Sequence, residues 1–302
     1  MPVWLPVAGV SVNIFLLIGI GGVVGLLSGL LGVGGGFLLT PALMMIGIPP
    51  TVAAASDSCQ IVAASSSGVA AHFRLKHVDL RAGIILLIGG LSGGFVGTLV
   101  MKELRDLGEA DFIISVAYVL LLGVVGGIMM ASSLRNLRTR RISGEAARGH
   151  SPARVLQWLP LAVSFERSGI RVSVFGPLLL GALTGFIAAI MGVGGGFIMV
   201  PLMVYGLGMP THVAVGTSLF QILFTCGGIT WAQAFENGTV DVVLALLLAL
   251  GSATGAQIGA RIGRRLRGEQ LLIILASLAL LVAAKLLLGF FMTPDSILTL
   301  TD

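Results

Sequence analysis

Apolar residues run along this chain in ten blocks, at about 7–31, 36–48, 51–71, 79–101 and 111–131, and again at 172–191, 196–208, 211–234, 240–260 and 269–291. Most blocks are apolar all round and have no polar stripe of helical period, the pattern of a helix buried in lipid rather than on a soluble core. A backbone in hydrocarbon must satisfy its own hydrogen bonds, and no block alternates like a barrel strand, so every block predicts a helix. The second block of each set is short. Its roughly 13 residues rise about 20 Å as a helix, less than the roughly 30 Å of hydrocarbon.

The two sets of five are an internal repeat. "GLLSGLLGVGGGFLLTPALMMIGIPPT" at 25–51 matches "GALTGFIAAIMGVGGGFIMVPLMVYGLGMPT" at 181–211, with the Gly-rich turn, Pro41 with Pro201, and Pro50-Thr51 with Pro210-Thr211 all 160 residues apart. The match continues through Ser58 and Ser218, slips by one at Gln60 and Gln221, and slips once more at Val78-Asp79 and Val240-Asp241. Small insertions in the second copy account for the slips.

Composition supports the membrane reading, with 56% hydrophobic and 10% charged residues among 302 and a mean hydropathy of +1.04. Little chain is left for a soluble domain. The start, "MPVWLPVAGVSVNIFLLIG", has no basic n-region and no small-residue cleavage site, so it is expected to be the first span rather than a removed signal. Cys59 and Cys226 are the only cysteines, which leaves no disulfide framework and no multi-cysteine zinc site. Net charge is +5, but the basic residues fall between blocks and read as topology, not as a nucleic-acid surface.

Charge also orients the blocks. The linker at 132–172 carries Arg135, Arg138, Arg140, Arg141, Arg148, Arg154, Arg167 and Arg171 against two Glu, and the positive-inside rule places it in the cytoplasm. Counting outward puts "HFRLKHVDLR" (72–81) and "RIGRRLRG" (261–268) inside, and "FENGTVD" (235–241), the tail and the start outside. Lys102, Arg105 and Lys285 are the only basic residues left outside. Five is an odd number, so the second copy enters the membrane from the opposite side if every segment crosses or if the first two form one re-entrant pair. The expected fold is therefore an all-α integral membrane protein of two inverted five-segment repeats, 7–131 and 173–291, joined by a basic cytoplasmic linker at 132–172. Inverted repeats with broken helices are the architecture of secondary transporters, whose site lies near the midplane and opens to each side in turn.

The stretches "GLLSGLLGVGGGFLLTPAL" and "AHFRLKHVDLR", with "GVGGGFIMVPLMVYGLGMPTHVAVGTSLFQI" and "NGTVD" in the second half, resemble the TauE/SafE family of sulfite and organosulfur anion exporters. The resemblance covers nearly all of residues 10–290 and both copies of the motif. It implies a multi-pass permease of the bacterial inner membrane for a small anion such as sulfite or sulfoacetate, working as an exporter. Where the second copy reads "VGTSLFQ" the first reads "ASDSCQ", so Asp57 stands where an uncharged polar residue is usual.

Three groups of residues are candidates for the site. The "GVGGGF" turns fail as a nucleotide fingerprint, since Phe37 and Phe197 occupy the third glycine position and no strand precedes them. Two readings stay open. Gly34, Gly35, Gly36, Gly194, Gly195 and Gly196 either allow close helix packing or break the helix, freeing backbone N–H groups at a positive dipole end for a substrate anion. Ser56, Ser58 and Gln60, with Thr217, Ser218 and Gln221, supply hydroxyls and amides that replace water around an oxyanion, or else bond between helices for about 0.6 kcal/mol each. Asp57 is costly inside a span and is read as a proton-coupling or gating group, unless it lies close enough to the outer interface to stay hydrated.

Other classes have less support. The four histidines are scattered in sequence, no H-E-x-x-H occurs, and no Ser–His or carboxylate pair shares a span, which argues against an intramembrane enzyme. No catalytic residue, metal site or cofactor is expected. A channel-like pore is the alternative, since sequence does not show whether both gates open together. The expected partners are the lipid bilayer, a small anion and coupled protons; sequence does not determine the oligomeric state.

Overall fold

A computed structural model describes residues 2–31, 33–143, 162–165, 167–263, 265–266 and 268–291. The linker stretch 144–161, with Arg148 and Arg154, and the tail 292–302 lie outside the described residues. The chain runs β1 (Pro2–Leu5), β2 (Val10–Asn13), α1 (Ile14–Leu31), α2 (Gly36–Met45), α3 (Pro50–Arg74), α4 (Leu80–Asp106) and α5 (Ala110–Ser143). Then come β3 (Ala162–Phe165), β4 (Ile170–Ser173), α6 (Phe175–Met191) and α7 (Gly196–Pro201), which a π turn over Leu202–Gly206 continues. The last elements are α8 (Thr211–Ala232), continued by a π turn over Gln233–Asn237, α9 (Val242–Gly263) and α10 (Gly268–Phe291). The protein is an all-α multi-pass membrane protein, and among the described residues six helical stretches are long and apolar enough to cross a bilayer.

α3 is not among the six. Ser56, Asp57, Ser58, Gln60 and Ser65 lower its apolar content, and all five are buried, so other helices rather than lipid surround this one. Polar side chains are tolerated at membrane depth where protein shelters them.

Two antiparallel hairpins correct the expectation of helix alone. β1 pairs β2 through Pro2↔Asn13 to Leu5↔Val10, and β3 pairs β4 through Ala162↔Ser173 to Phe165↔Ile170. The stretch read as the start of the first span is thus partly hairpin, and the end of the expected linker is its counterpart, 160 residues later. Each loop closes through a glycine of left-handed conformation, Gly9 at φ 67° and Gly169 at φ 65°, whose N–H donates to Leu5 O and Phe165 O at 2.9 Å. Four-residue strands are too short to reveal period-2 alternation.

The π turns account for the slips in the repeat. Gly35 and Gly195 cap α2 and α7 at an offset of 160, whereas Pro49 and Pro210 cap α3 and α8 at 161. The π turn over Leu202–Gly206 lies between them, and a π turn takes up one extra residue. The turn over Gln233–Asn237 precedes the second slip, to 162 at Asp79 and Asp241. Helix caps therefore move the first slip ahead of Ser58: structurally Asp57 corresponds to Ser218, and Ser56 to Thr217.

The helices of the two copies interleave. α1 packs along α9, where a Cβ on Gly21, Gly25 or Gly29 would collide with the backbone of Leu248, Ser252 and Ala256. α6 packs along α4 the same way, a Cβ on Gly89, Gly93 or Gly97 meeting the backbone of Leu178, Ala182 and Phe186. These are small-xxx-small seams, where backbones in lipid approach closely enough for dispersion to hold them. The first helix of each copy thus lies on the fourth helix of the other. α3 also packs on α9, and α8 on α4, while α5 pairs with α10. Each copy's third helix meets its own counterpart: Gly68 of α3 faces Leu219 of α8, and Gly216 of α8 faces His72 of α3, so the pair runs antiparallel.

Candidate functional site

The glycine turns meet where α3 crosses α8. Gly34 and Gly35 have φ of 79° and 86°, and Gly194 and Gly195 have 71° and 70°, values that residues with a Cβ rarely adopt. A Cβ on Gly36 would lie 2.8 Å from Gly192 O, and one on Gly196 would lie 2.5 Å from Val33 O, so each turn sits on the other. Phe37 and Phe197 stack behind them with ring centroids 5.8 Å apart. Ile61 of α3 and Ile222 of α8 reach both turns, their methyls 3.2–3.4 Å from where a Cβ on Gly34 or Gly194 would be. The turns serve close packing, one of the two sequence readings. They also begin helices, whose bonds start with the Leu38 and Ile198 N–H groups donating to Gly35 O and Gly195 O, at 3.0 and 3.2 Å. The amides before them are those a helix start leaves without an intrahelical partner.

The polar candidates are all buried, but they divide by what they bond. Ser56 and Thr217 clasp the other copy: Asp241 N–H donates to Ser56 Oγ at 2.9 Å, and Asp79 N–H donates to Thr217 Oγ1 at 3.0 Å. Asp241 in turn caps α9 by accepting from Leu244 N–H and holds the first hairpin loop by accepting from Val7 N–H and Ala8 N–H at 3.0 and 3.3 Å. Asp79 caps α4 through Ala82 N–H and holds the second loop through Ser168 N–H at 3.1 Å and Ser168 Oγ at 2.7 Å. Several amide donors and a helix N-terminus thus stabilise each carboxylate. Asp79 and Asp241 were not among the sequence candidates, although both ended the repeated Val-Asp pair. Ser58 and Ser218 donate to their own helices, at Ala54 O and Val215 O.

The remaining candidates keep unused bonding capacity. Neither the oxygen nor the nitrogen of the Gln60 amide has a partner, and Gln221 donates to Thr225 Oγ1 at 2.8 Å while its Oε1 has none. Asp57 is 0% exposed, which removes the reading of a hydrated interfacial carboxylate. Its Oδ2 accepts from Thr40 Oγ1 of the short helix α2 at 2.7 Å, and its Oδ1 has no partner. At the structurally equivalent places the second copy has Ser218 and Val200, so this link exists in the first copy alone. Tyr118 of α5 donates to Met191 O at 2.8 Å, tying α5 to the segment before the second glycine turn.

Three of the histidines that are scattered in sequence are neighbours in space. His72 and His77 have ring centroids 5.9 Å apart, and His77 and His212 lie 5.6 Å apart. His72 Nε2 is 3.4 Å from Gly29 O, as Gln233 Nε2 is 3.1 Å from Ala189 O in the second copy. Among the described residues no group of three or more His, Cys, Asp or Glu has the arrangement of a metal site.

The pattern of the family described as "Sulfite exporter TauE/SafE" matches residues 17–286. A "Probable membrane transporter protein YjnA" of Bacillus subtilis is 30% identical over 282 residues, 92% of this chain and 100% of that protein. A "Probable membrane transporter protein" of Xylella fastidiosa strain 9a5c is 29% identical over 236 residues, 78% of each chain. "Sulfite exporter TauE/SafE family protein 3" of Arabidopsis thaliana is 31% identical over 93 residues, 30% of this chain and 20% of that protein. No solved structure matches. A polytopic helical protein whose two copies meet at paired glycine turns, and whose relatives over most of its length carry the name of membrane transporters, is itself a membrane transporter, and the chain belongs to the sulfite exporter TauE/SafE family.

Proposed function

We propose that the protein is a secondary transporter that carries a small anion, sulfite or an organosulfonate, out of the cell by alternating access. The observation that carries this reading is the set of buried, unbonded polar atoms on the two crossing helices: Gln60 Oε1 and Nε2, Asp57 Oδ1 and Gln221 Oε1. Buried polar atoms are nearly always bonded, and each exception needs a reason; an oxyanion that enters when the halves part accepts from Gln60 Nε2, and the acceptor oxygens of Gln60, Asp57 and Gln221 are left for the coupled proton or the water that enters with it. Amide donors from Gln60 and Gln221, and backbone N–H groups from the glycine turns, bind an oxyanion without placing a full positive charge in the membrane.

Gly34, Gly35, Gly36, Gly194, Gly195, Gly196, Ser56, Ser58, Gln60, Thr217, Ser218 and Gln221 form the proposed substrate path, and Asp57 the proton-coupled gate. The antiparallel crossing of α3 and α8 supports an inverted repeat with its axis in the membrane plane. Under that symmetry, the contact across the crossing loosens first on one side and then on the other. The family name supplies the substrate class and the outward direction.

The test is flux into proteoliposomes with sulfite, sulfoacetate, thiosulfate, sulfate and acetate under an imposed pH gradient. Saturable flux with counterflow for a sulfur oxyanion, reduced in Gln60→Ala and Gln221→Ala, is the expected result. Large single-channel currents would establish a pore instead.

A further inference from the structure

Beside the cytoplasm-facing ends of α3 and α9, away from the crossing, lies a cavity of about 290 Å³ lined by Ser67, Ala70, Ala71, Arg74, Leu75, Gln257, Ala260 and Arg261. Arg74, Arg261 and Gln257 bring two guanidinium groups and an amide to it, the Ser67 hydroxyl donates to Ala253 O at 2.7 Å, and among the described residues no carboxylate is in its lining. The positive-inside rule accounts for basic residues at this level of the membrane, but not for their gathering around a cavity with a polar amide beside them.

The internal repeat provides a control within the molecule. At the structurally equivalent places the second-copy surface has Gly228 for Ser67, Phe95 for Gln257 and Leu99 for Arg261, and Arg74 falls opposite the π turn that contains Phe235. Phe95, Leu99 and Phe235 are 63%, 46% and 75% exposed, as side chains facing acyl chains are. Around the cavity itself Phe73, Ile258 and Ile262 are exposed in the same way. The cavity therefore opens on a lipid-facing flank, at the depth where basic side chains meet headgroups.

We propose that this cavity binds a phosphate oxyanion presented by an anionic phospholipid of the leaflet on the basic side. Guanidinium groups hold phosphate oxygens through paired N–H donors, Gln257 adds a donor at the rim, and the exposed apolar residues receive the acyl chains. Basic pockets between transmembrane helices on the cytoplasmic side have the chemistry to hold such headgroups. Because α3 carries the proposed gate and α9 is its packing partner, lipid bound here braces the pair. The proposal does not depend on which substrate is transported.

The experiment uses the full chain purified in detergent, with native mass spectrometry and thermal unfolding, and with phosphatidylglycerol, phosphatidylcholine or inorganic phosphate as separate probes. Phosphatidylglycerol is expected to bind and raise the unfolding temperature, while phosphatidylcholine does neither. Arg74→Gln and Arg261→Gln are each expected to weaken phosphatidylglycerol about tenfold, whereas Arg265→Gln, outside the lining, leaves it unchanged. Ala71→Leu fills the cavity without altering charge and is expected to weaken the lipid as well, which keeps the test valid should an arginine variant unfold. Equal affinity for both lipids, or equal losses in Arg74→Gln, Arg261→Gln and Arg265→Gln, would overturn the proposal. Protection by inorganic phosphate as strong as that by the lipid would identify a free oxyanion as the ligand and overturn the lipid assignment.

Discussion

At the scale of single residues, the buried hydroxyls and carboxyls divide into fasteners and reserves. Ser56 and Thr217 accept from the amides of Asp241 and Asp79, so truncating either leaves a buried N–H without a partner, which costs about 1–3 kcal/mol. Ser56→Ala and Thr217→Ala are each expected to lower the unfolding temperature in detergent. Ser58→Ala, whose hydroxyl bonds only its own helix, should lower it by much less. Asp57 belongs to the reserves. Asp57→Asn keeps an oxygen to accept from Thr40 but cannot take up a proton, so flux in proteoliposomes should lose its response to a pH gradient while the fold persists. An unchanged rate and pH dependence would end the gating role of this residue. The residue types were legible in the sequence, whereas the partners of Ser56 and Thr217 were not, since those two bonds join residues 185 and 138 positions apart.

At the scale of elements, glycine spacing decides which helices touch. The seams of α1 on α9 and of α4 on α6 leave no room for a methyl group, because the atoms it would meet are backbone. Gly25→Ala and Gly93→Ala are therefore expected to destabilise the fold severely or to abolish expression as folded protein. Gly19→Ala in α1 meets nothing within 4 Å and should be neutral, or stabilising by up to about 1 kcal/mol through helix propensity. Measured yields of folded protein that ranked Gly19→Ala with Gly25→Ala would contradict the seam. The repeated block pattern made the helices and their order readable. The hairpins were not, because strands of four residues carry too little periodicity, and neither were the π turns, because an inserted residue leaves no mark in hydropathy beyond a slip in register.

For the molecule as a whole, interleaving makes each structural half a mixture of both sequence copies. α1 and α3 pack with α9 of the second copy, in an apolar cluster that also holds Leu5, Val12, Leu39 and Leu43, and α6 and α8 pack with α4 of the first. Both seams join one copy to the other, so a copy expressed alone retains neither and is not expected to fold. The proposed inversion has its own consequence for sidedness. In a variant lacking Cys59 and Cys226, a cysteine placed at Lys76 should react with an impermeant reagent only from the cytoplasmic side, and one placed at Gly238 only from the other side. Labelling of both from one side would refute the inverted arrangement.

That the chain lives in a bilayer as two five-helix copies, with glycine breaks at matched places, follows from the order of its residues alone. Transfer of an apolar segment into lipid is a local property, a sum over about 20 consecutive residues, and a motif repeated at a constant interval needs no structure to be seen. Which copy's helix lies on which, that Ser56 and Thr217 fasten the halves, that Asp57 is fully enclosed, and that His72, His77 and His212 come together are visible in the folded molecule and nowhere in the sequence. Small residues permit close approach without naming a partner. The partner follows from the fit of two surfaces that are far apart along the chain, and lipid, as apolar as the side chains it touches, favours no one pairing until those surfaces meet.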